Sequence, residues 1–404
     1  MPAKKKKEFN LAGFAKSAME AAQGTVGQEN VYVAADHDKR QFGFHIPTFA
    51  LRYLINNTVW PLQRVSSCGG PPKGHKSSFA YQLQRWVLDA GGMVTHIETE
   101  NKATSDIQKS IVGPKYMDPS SPDAWRVSFV NTRTINEWQQ VLTKQHELLQ
   151  KVTEDSGSKP CIPIMWNIDT LMGADTEEQL SKLKDTGEAM GRGYSDAPMI
   201  ISNFLRQTSA VLLGWPICLH LTHQEKNAIG GIGKTRAGGI APDFYTSIDL
   251  QFSLGGTSAY SKSYKIDRAN MSGFNVKMKV RKSSIGPSGR EMTVPFIWRF
   301  LDEVDSETGE KKTRQEFQFD WNAATAELLA NMPIRSISDI MRVESEQTRA
   351  GKVYSSDALG VKKTSPLSGA EFGAALEANT ELMAALENHL VIKQGQLIGP
   401  GILD

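Results

Sequence analysis

The run Gly70-Pro71-Pro72-Lys73-Gly74-His75-Lys76-Ser77-Ser78 sits between two segments of different periodicity. Before it, Arg64 to Cys68 is a short apolar-polar run suited to a strand. After it, Phe79, Leu83, Trp86 and Val87 recur at helical spacing. A strand, a glycine-rich turn and a helix N-terminus together make an anion cradle, because backbone N–H groups converge where the helix dipole is positive. In that setting Lys76 reaches the β- and γ-phosphates of a nucleotide and the Ser77 hydroxyl ligates Mg²⁺. His75 stands where the pattern G-x-x-x-x-G-K-[ST] has its last glycine. The bland alternative is an ordinary strand–turn–helix with a chance lysine.

Further candidates lie at the ends of other apolar runs. Cys161 to Ile168 delivers Asp169 to a strand tip, where a carboxylate holds Mg²⁺ through water; a capping aspartate is the plainer reading. Met93 to Ile97 is followed by Glu98-Thr99-Glu100, and Glu100 is placed to polarise a water attacking the γ-phosphate. Glu98 competes for that role, since period-two alternation puts both on one side. Ile217 to Thr222 ends in His223, a candidate γ-phosphate sensor. Residues 225–239 then hold five glycines and the basic residues Lys226, Lys234 and Arg236. Such a segment forms no stable helix or strand in isolation, and its cations suit sequence-tolerant contacts with a polyanion.

These residues need a scaffold that brings strand tips to one edge. From about residue 44 to 320 strand and helix patterns alternate, implying a mostly parallel sheet with helices on both faces and ligands at the carboxyl ends of its strands. The helix capped by Thr134 runs to Leu149, and one opened by Pro198 runs to Leu213. Thr246–Leu254, Asn275–Arg281 and Val294–Phe300 read as antiparallel additions. Residues 1–43 hold a polar tail with four lysines (Lys4 to Lys7) and an amphipathic helix from Leu11 to Ala22. Residues 321–404 read as a helical region, with helices at 336–347 and 369–389 and a linker at 351–368; Ser336 and Asp339 resemble a capping box.

Composition sets limits. The chain has 404 residues, 46 basic and 44 acidic, so its net charge of +2 makes any nucleic-acid site a local patch. Three cysteines, Cys68, Cys161 and Cys218, lack metal-ligand spacing and suit a reducing cytosol. No apolar run approaches a membrane span, and no signal peptide is read.

Taken in order, these motifs resemble the RecA-type recombinases, and most closely their bacteriophage, UvsX-like branch. Gly70 to Ser77 matches that branch's phosphate loop, in which a bulkier residue replaces the last glycine. Ile97-Glu98-Thr99-Glu100 corresponds to Ile-Asp-Ala-Glu, Ile168-Asp169-Thr170 to Val-Asp-Ser, and Leu221-Thr222-His223 to the phage Ile-Asn-His. Gly238-Gly239-Ile240-Ala241-Pro242-Asp243-Phe244-Tyr245 resembles Gly-Gly-Asn-Ala-Leu-Lys-Phe-Tyr, which places residues 225–239, with Gly238 and Gly239, on the second DNA-binding loop; the first falls at 172–198. Lys279-Val280-Arg281-Lys282 resembles a stretch whose lysines reach ATP across a subunit interface. Lys282 matches the first of these, while Ser284 or its neighbour stands at the second. Ile107 replaces the aromatic residue that stacks on adenine. The likeness covers roughly residues 44–300.

The resemblance implies a RecA-like P-loop ATPase core over 44–320. ATP and Mg²⁺ would be held by residues 70–78, Asp169 and Lys282, and turnover would depend on Glu100, Lys76 and His223. It further implies filaments on single-stranded DNA, pairing with duplex DNA in recombination, repair and replication, accessory single-strand-binding or mediator proteins, and a cytoplasmic setting, that of a bacterial host if the chain is phage-encoded. Two rivals stand beside it: a hexameric, helicase-like ring on the same core, and a non-catalytic DNA-binding scaffold whose phosphate loop has decayed.

Overall fold

The computed structural model describes residues 11–26, 42–100, 105–132, 134–171, 197–227, 234–236, 241–254, 265–268, 271–304, 311–332, 340–348 and 351–397, with isolated positions between 173 and 181. Two units divide the chain, residues 1–41 and 42–404. The first contains helix α1 (Leu11–Val26), one turn longer than its apolar spacing predicts. Lys4 to Lys7 lie outside the described residues.

In the second unit β1 (Phe42–His45), α2 (Phe49–Ile55) and β2 (Val59–Pro61) lead into β3 (Val65–Gly70), α3 (Lys76–Asp89) and β4 (Met93–Glu98). Next come α4 (Ser105–Val112), α5 (Pro114–Met117), β5 (Val127–Asn131), α6 (Ile135–Ser156) and β6 (Ile164–Asp169). Then follow α7 (Ala197–Leu212), β7 (Ile217–Asn227), β8 (Lys234–Arg236), α8 (Ala241–Tyr245) and β9 (Thr246–Leu254). The strands β10 (Lys265–Arg268), β11 (Met271–Ser283), β12 (Glu291–Val304) and β13 (Lys311–Phe319) complete the large sheet.

Its order is β13-β12-β11-β9-β3-β7-β6-β4-β5, with β10 on β11 and β8 on β7. From β9 to β5 every pairing is parallel; beyond β9 the additions are antiparallel. The α/β expectation therefore holds, with one correction. Thr246–Leu254 is not an antiparallel addition but pairs parallel with β3, on the side of β3 away from β7.

Helices cover both faces of the middle of the parallel part, so β3 and β6 are buried along their whole length, whereas the edge strand β5 is partly to fully exposed. Alternation splits the side chains between two cores. Met165, Cys218 and Cys68 face α3, whose Phe79, Leu83 and Val87 lie in the same cluster. Trp166, Leu219 and Val65 face Trp138 and Leu142 of α6 and Phe204 of α7. Each such side chain contributes about 1.5–3 kcal/mol on burial. The capping box that starts α6 joins Thr134 to Glu137, and the helix runs seven residues past Leu149 to Ser156. Cys161 precedes β6 rather than belonging to it and is only partly buried.

The region after Trp321 departs from expectation. Helix α9 (Trp321–Asn331) is followed by β14 (Glu344–Thr348) where a helix was read, and by β15 (Gly351–Ser355) and β16 (Leu367–Ser368) where a linker was read. The three strands form one small antiparallel sheet. Ser336 and Asp339 lie outside the described residues; the capping box here is Ser368 with Glu371. Asn379 divides residues 369–389 into α10 (Gly369–Ala378) and α11 (Thr380–His389), its side chain capping the second. Strand β17 (Gln396–Leu397) returns to pair with β1.

A buried ion cluster ties this region to the rest. Arg52 reaches Glu377 at 2.9 Å and Glu387 at 2.7 Å, and donates to the Ile46 carbonyl at 2.8 Å. Among the described residues, no helix is long and apolar enough to cross a membrane.

Candidate functional site

Parallel pairing brings the carboxyl ends of β3, β4, β6, β7 and β9 to one edge. Gly70 ends β3 with φ +154°, and a Cβ there would come within 2.2 Å of the Phe252 carbonyl on β9. Only glycine lets the chain leave the sheet so close to its neighbour. Pro71 follows, Pro72 and Lys73 are exposed, and Gly74 N–H bonds the Pro71 carbonyl at 3.2 Å. His75 adopts φ +59°, the left-handed conformation a glycine normally supplies at this place. Its ring packs 4.0 Å from that of Phe296 on β12 and 5.8 Å from that of Phe274 on β11. Burial, with Lys76 beside it, pushes its pKa down to about 4. Ser78 is buried in the first turn of α3.

Lys76 is 6 % exposed and donates to the Pro71 carbonyl at 2.8 Å. Burial lowers its pKa, while Cys68, Asp169, Glu100 and Glu225 oppose that shift. Ser77 hydrogen-bonds the Asp169 side chain, and Thr222 on β7 donates to Asp169 Oδ1. Burial raises the Asp169 pKa.

The tips of β4 and β6 are stitched together. Thr99 N–H bonds the Asp169 carbonyl at 2.9 Å, and the Thr99 hydroxyl donates to the Thr170 carbonyl at 2.8 Å. Glu98 accepts from Glu100 N–H at 2.9 Å, so it shapes the turn rather than competing for the outer position. Glu100 Oε1 accepts from Thr170 Oγ1 at 3.1 Å and from Gln224 Nε2 at 2.7 Å. The edge thus gathers Lys76, Ser77, Glu100 and Asp169.

Two placements differ from the sequence reading. His223 is fully buried and level with Gly69 of β3, whereas Gln224, level with Gly70, touches Glu100. Gln224 was missed because alternation alone does not say which of two adjacent polar residues faces the edge. The basic segment is not wholly irregular: Glu225, Lys226 and Asn227 pair with Arg236, Thr235 and Lys234 as an antiparallel ladder that extends β7 outward. Backbone register alone places Lys226, Lys234 and Arg236; Gly238 and Gly239 lie outside the described residues, as does most of 172–196. Lys282 donates within its own chain, to the carbonyls of Asp243 and Phe244 at the end of α8, the latter at 3.3 Å. Arg281 pairs with Asp243 and the buried Asp249, and Lys277 with Glu291 at 2.7 Å.

No protein-family profile and no curated protein sequence matches the chain. What the site can do therefore rests on its own residues: a cationic turn at a helix start, a hydroxyl bonded to a buried carboxylate, and a second carboxylate held by an amide and a hydroxyl.

Proposed function

We propose that the chain is an ATP-dependent DNA recombinase built on a RecA-like P-loop core, cycling on single-stranded DNA and pairing it with a homologous duplex. The observation that carries this reading is the convergence of Lys76, Ser77, Asp169 and Glu100 on one sheet edge, with β7 running from that edge into a basic hairpin.

The donor set fits a magnesium nucleotide. Backbone N–H groups of the 70–78 turn and the start of α3 suit phosphate oxygens, and an added anion stabilises the charged form of Lys76 against the burial that disfavours it. Ser77 and Asp169 would hold Mg²⁺, which bridges phosphate oxygens and offsets their charge. Glu100 orients a water and takes its proton; Gln224, bonded to Glu100, is placed to report a change at the phosphate. DNA contacts fall to the 225–239 segment and should make affinity fall with salt.

DNA-stimulated phosphate release by the wild type and by Lys76→Ala tests the enzyme reading. Release in the wild type that is abolished in the variant supports it; equal rates remove it. Negative-stain images with a non-hydrolysable ATP analogue and single-stranded DNA distinguish the filament from a ring.

A further inference from the structure

The sheet face covered by α3 carries a second group of ligand-type side chains. His96, Glu98 and Asp169 offer one nitrogen and two oxygens that all lie within 4.8 Å of one another, and all three residues are buried. Register brings them together: on the parallel strands β4 and β6, Glu98 stands opposite Asp169 and His96 opposite Asn167. Like charges directly opposite on neighbouring strands repel, and removal from water strengthens the repulsion. A buried carboxylate pair of this kind is relieved by a shared proton or by a cation, and a ligand nitrogen beside it favours the cation.

His96 is held as a ligand would be. Its Nδ1 lies 2.8 Å from the Gln84 side-chain amide and 2.8 Å from that of Asn167. An imidazole nitrogen has one lone pair, so it cannot serve two N–H donors. Turned end for end, both amides instead present Gln84 Oε1 and Asn167 Oδ1, buried atoms that otherwise make no hydrogen bond among the described residues. The two oxygens then share an Nδ1–H, and Nε2 keeps its lone pair. Nε2 is itself buried, makes no hydrogen bond among the described residues and stands 3.7 Å from Glu98 Oε2. A metal-bound histidine typically donates its other N–H to a carbonyl in this way.

We propose that His96, Glu98 and Asp169 form a binding site for a divalent transition ion of the Mn²⁺ to Zn²⁺ class. One imidazole and two carboxylates favour such ions over Mg²⁺, which prefers all-oxygen surroundings. In a tetrahedral site, ligand atoms about 2.1 Å from a zinc-sized ion lie about 3.4 Å apart, so an inward movement of up to about 1 Å per ligand closes the set. Asp169 would be shared with the Ser77 position assigned above to Mg²⁺, linking a resident ion to the catalytic edge. The site does not depend on nucleotide hydrolysis and stands or falls separately from it.

The test uses the full chain, stripped with chelator and titrated with Co²⁺ without nucleotide or Mg²⁺. The expected result is one bound equivalent with visible d–d absorption, displaced by Zn²⁺ but not by excess Mg²⁺. His96→Phe and Glu98→Gln should each weaken Co²⁺ binding at least about tenfold. Circular dichroism reports folding, and if His96→Phe does not fold, Glu98→Gln decides. Failure of the wild type to bind Co²⁺, ready displacement by Mg²⁺, or unchanged binding in folded His96→Phe or Glu98→Gln would each overturn the proposal.

Discussion

At the level of single residues, the contacts of Glu100 separate its role from its surroundings. Its carboxylate is held by Thr170 and Gln224, and its backbone by Glu98. Glu100→Gln keeps the size and one acceptor but removes the base. Nucleotide and DNA binding should persist, while turnover falls about 10²–10⁴-fold. Filter binding beside phosphate release checks this; loss of nucleotide binding itself would count against the role. Much of this site was legible in the sequence because each candidate ends an apolar run, and parallel strands of similar burial bring such ends together. Gln224 and His96 were not. Gln224 is hidden by a neighbour, His223, of equal chemical promise. His96 lies inside an apolar strand, and only cross-strand register shows what it faces.

At the level of elements, β7 offers two measurements. His220, fully buried on it, has its Nδ1 2.9 Å from Ser66 Oγ and packs against Trp60 and Phe79. Burial, with His223 adding to it, pushes its pKa down to about 3. The folded value lies below the unfolded one of about 6.5, so the unfolded chain takes a proton that the folded chain refuses. Stability should be undiminished above about pH 6.5 and then fall by about 1.4 kcal/mol per pH unit toward the folded value. His45, His75 and His146 are shifted in the same direction. The comparison is therefore of slopes in chemical denaturation, and His220→Asn should be shallower than the wild type. On β8, paired with the outer end of β7, neutralising Lys234 and Arg236 together should weaken single-stranded DNA binding and flatten its dependence on salt. An unchanged salt slope would remove the hairpin from the DNA contacts. The hairpin was read as irregular because its glycines dominate local propensity, whereas the pairing comes from β7 projecting beyond its neighbours.

At the level of the folded unit from residue 42 onward, the central architecture was readable and the C-terminal part was not. Strands β14 and β15 are polar and short, and local sequence such as Glu344-Ser345-Glu346-Gln347-Thr348 favours a helix; only partners across the small sheet make it extended. Arg52 is the joint. Replacing it with methionine leaves Glu377, whose pKa burial already raises, and Glu387 without their counter-charge. We expect a loss of about 3–5 kcal/mol, read as a lower denaturation midpoint. A midpoint unchanged from wild type would mean that the two carboxylates are satisfied elsewhere. A last consequence follows from β7. It passes without a break from the middle of the sheet, past Gln224, into the pairing with β8. Under the proposed function, a displacement at the Gln224 amide and a load on the basic tip would be carried by one continuous stretch of backbone.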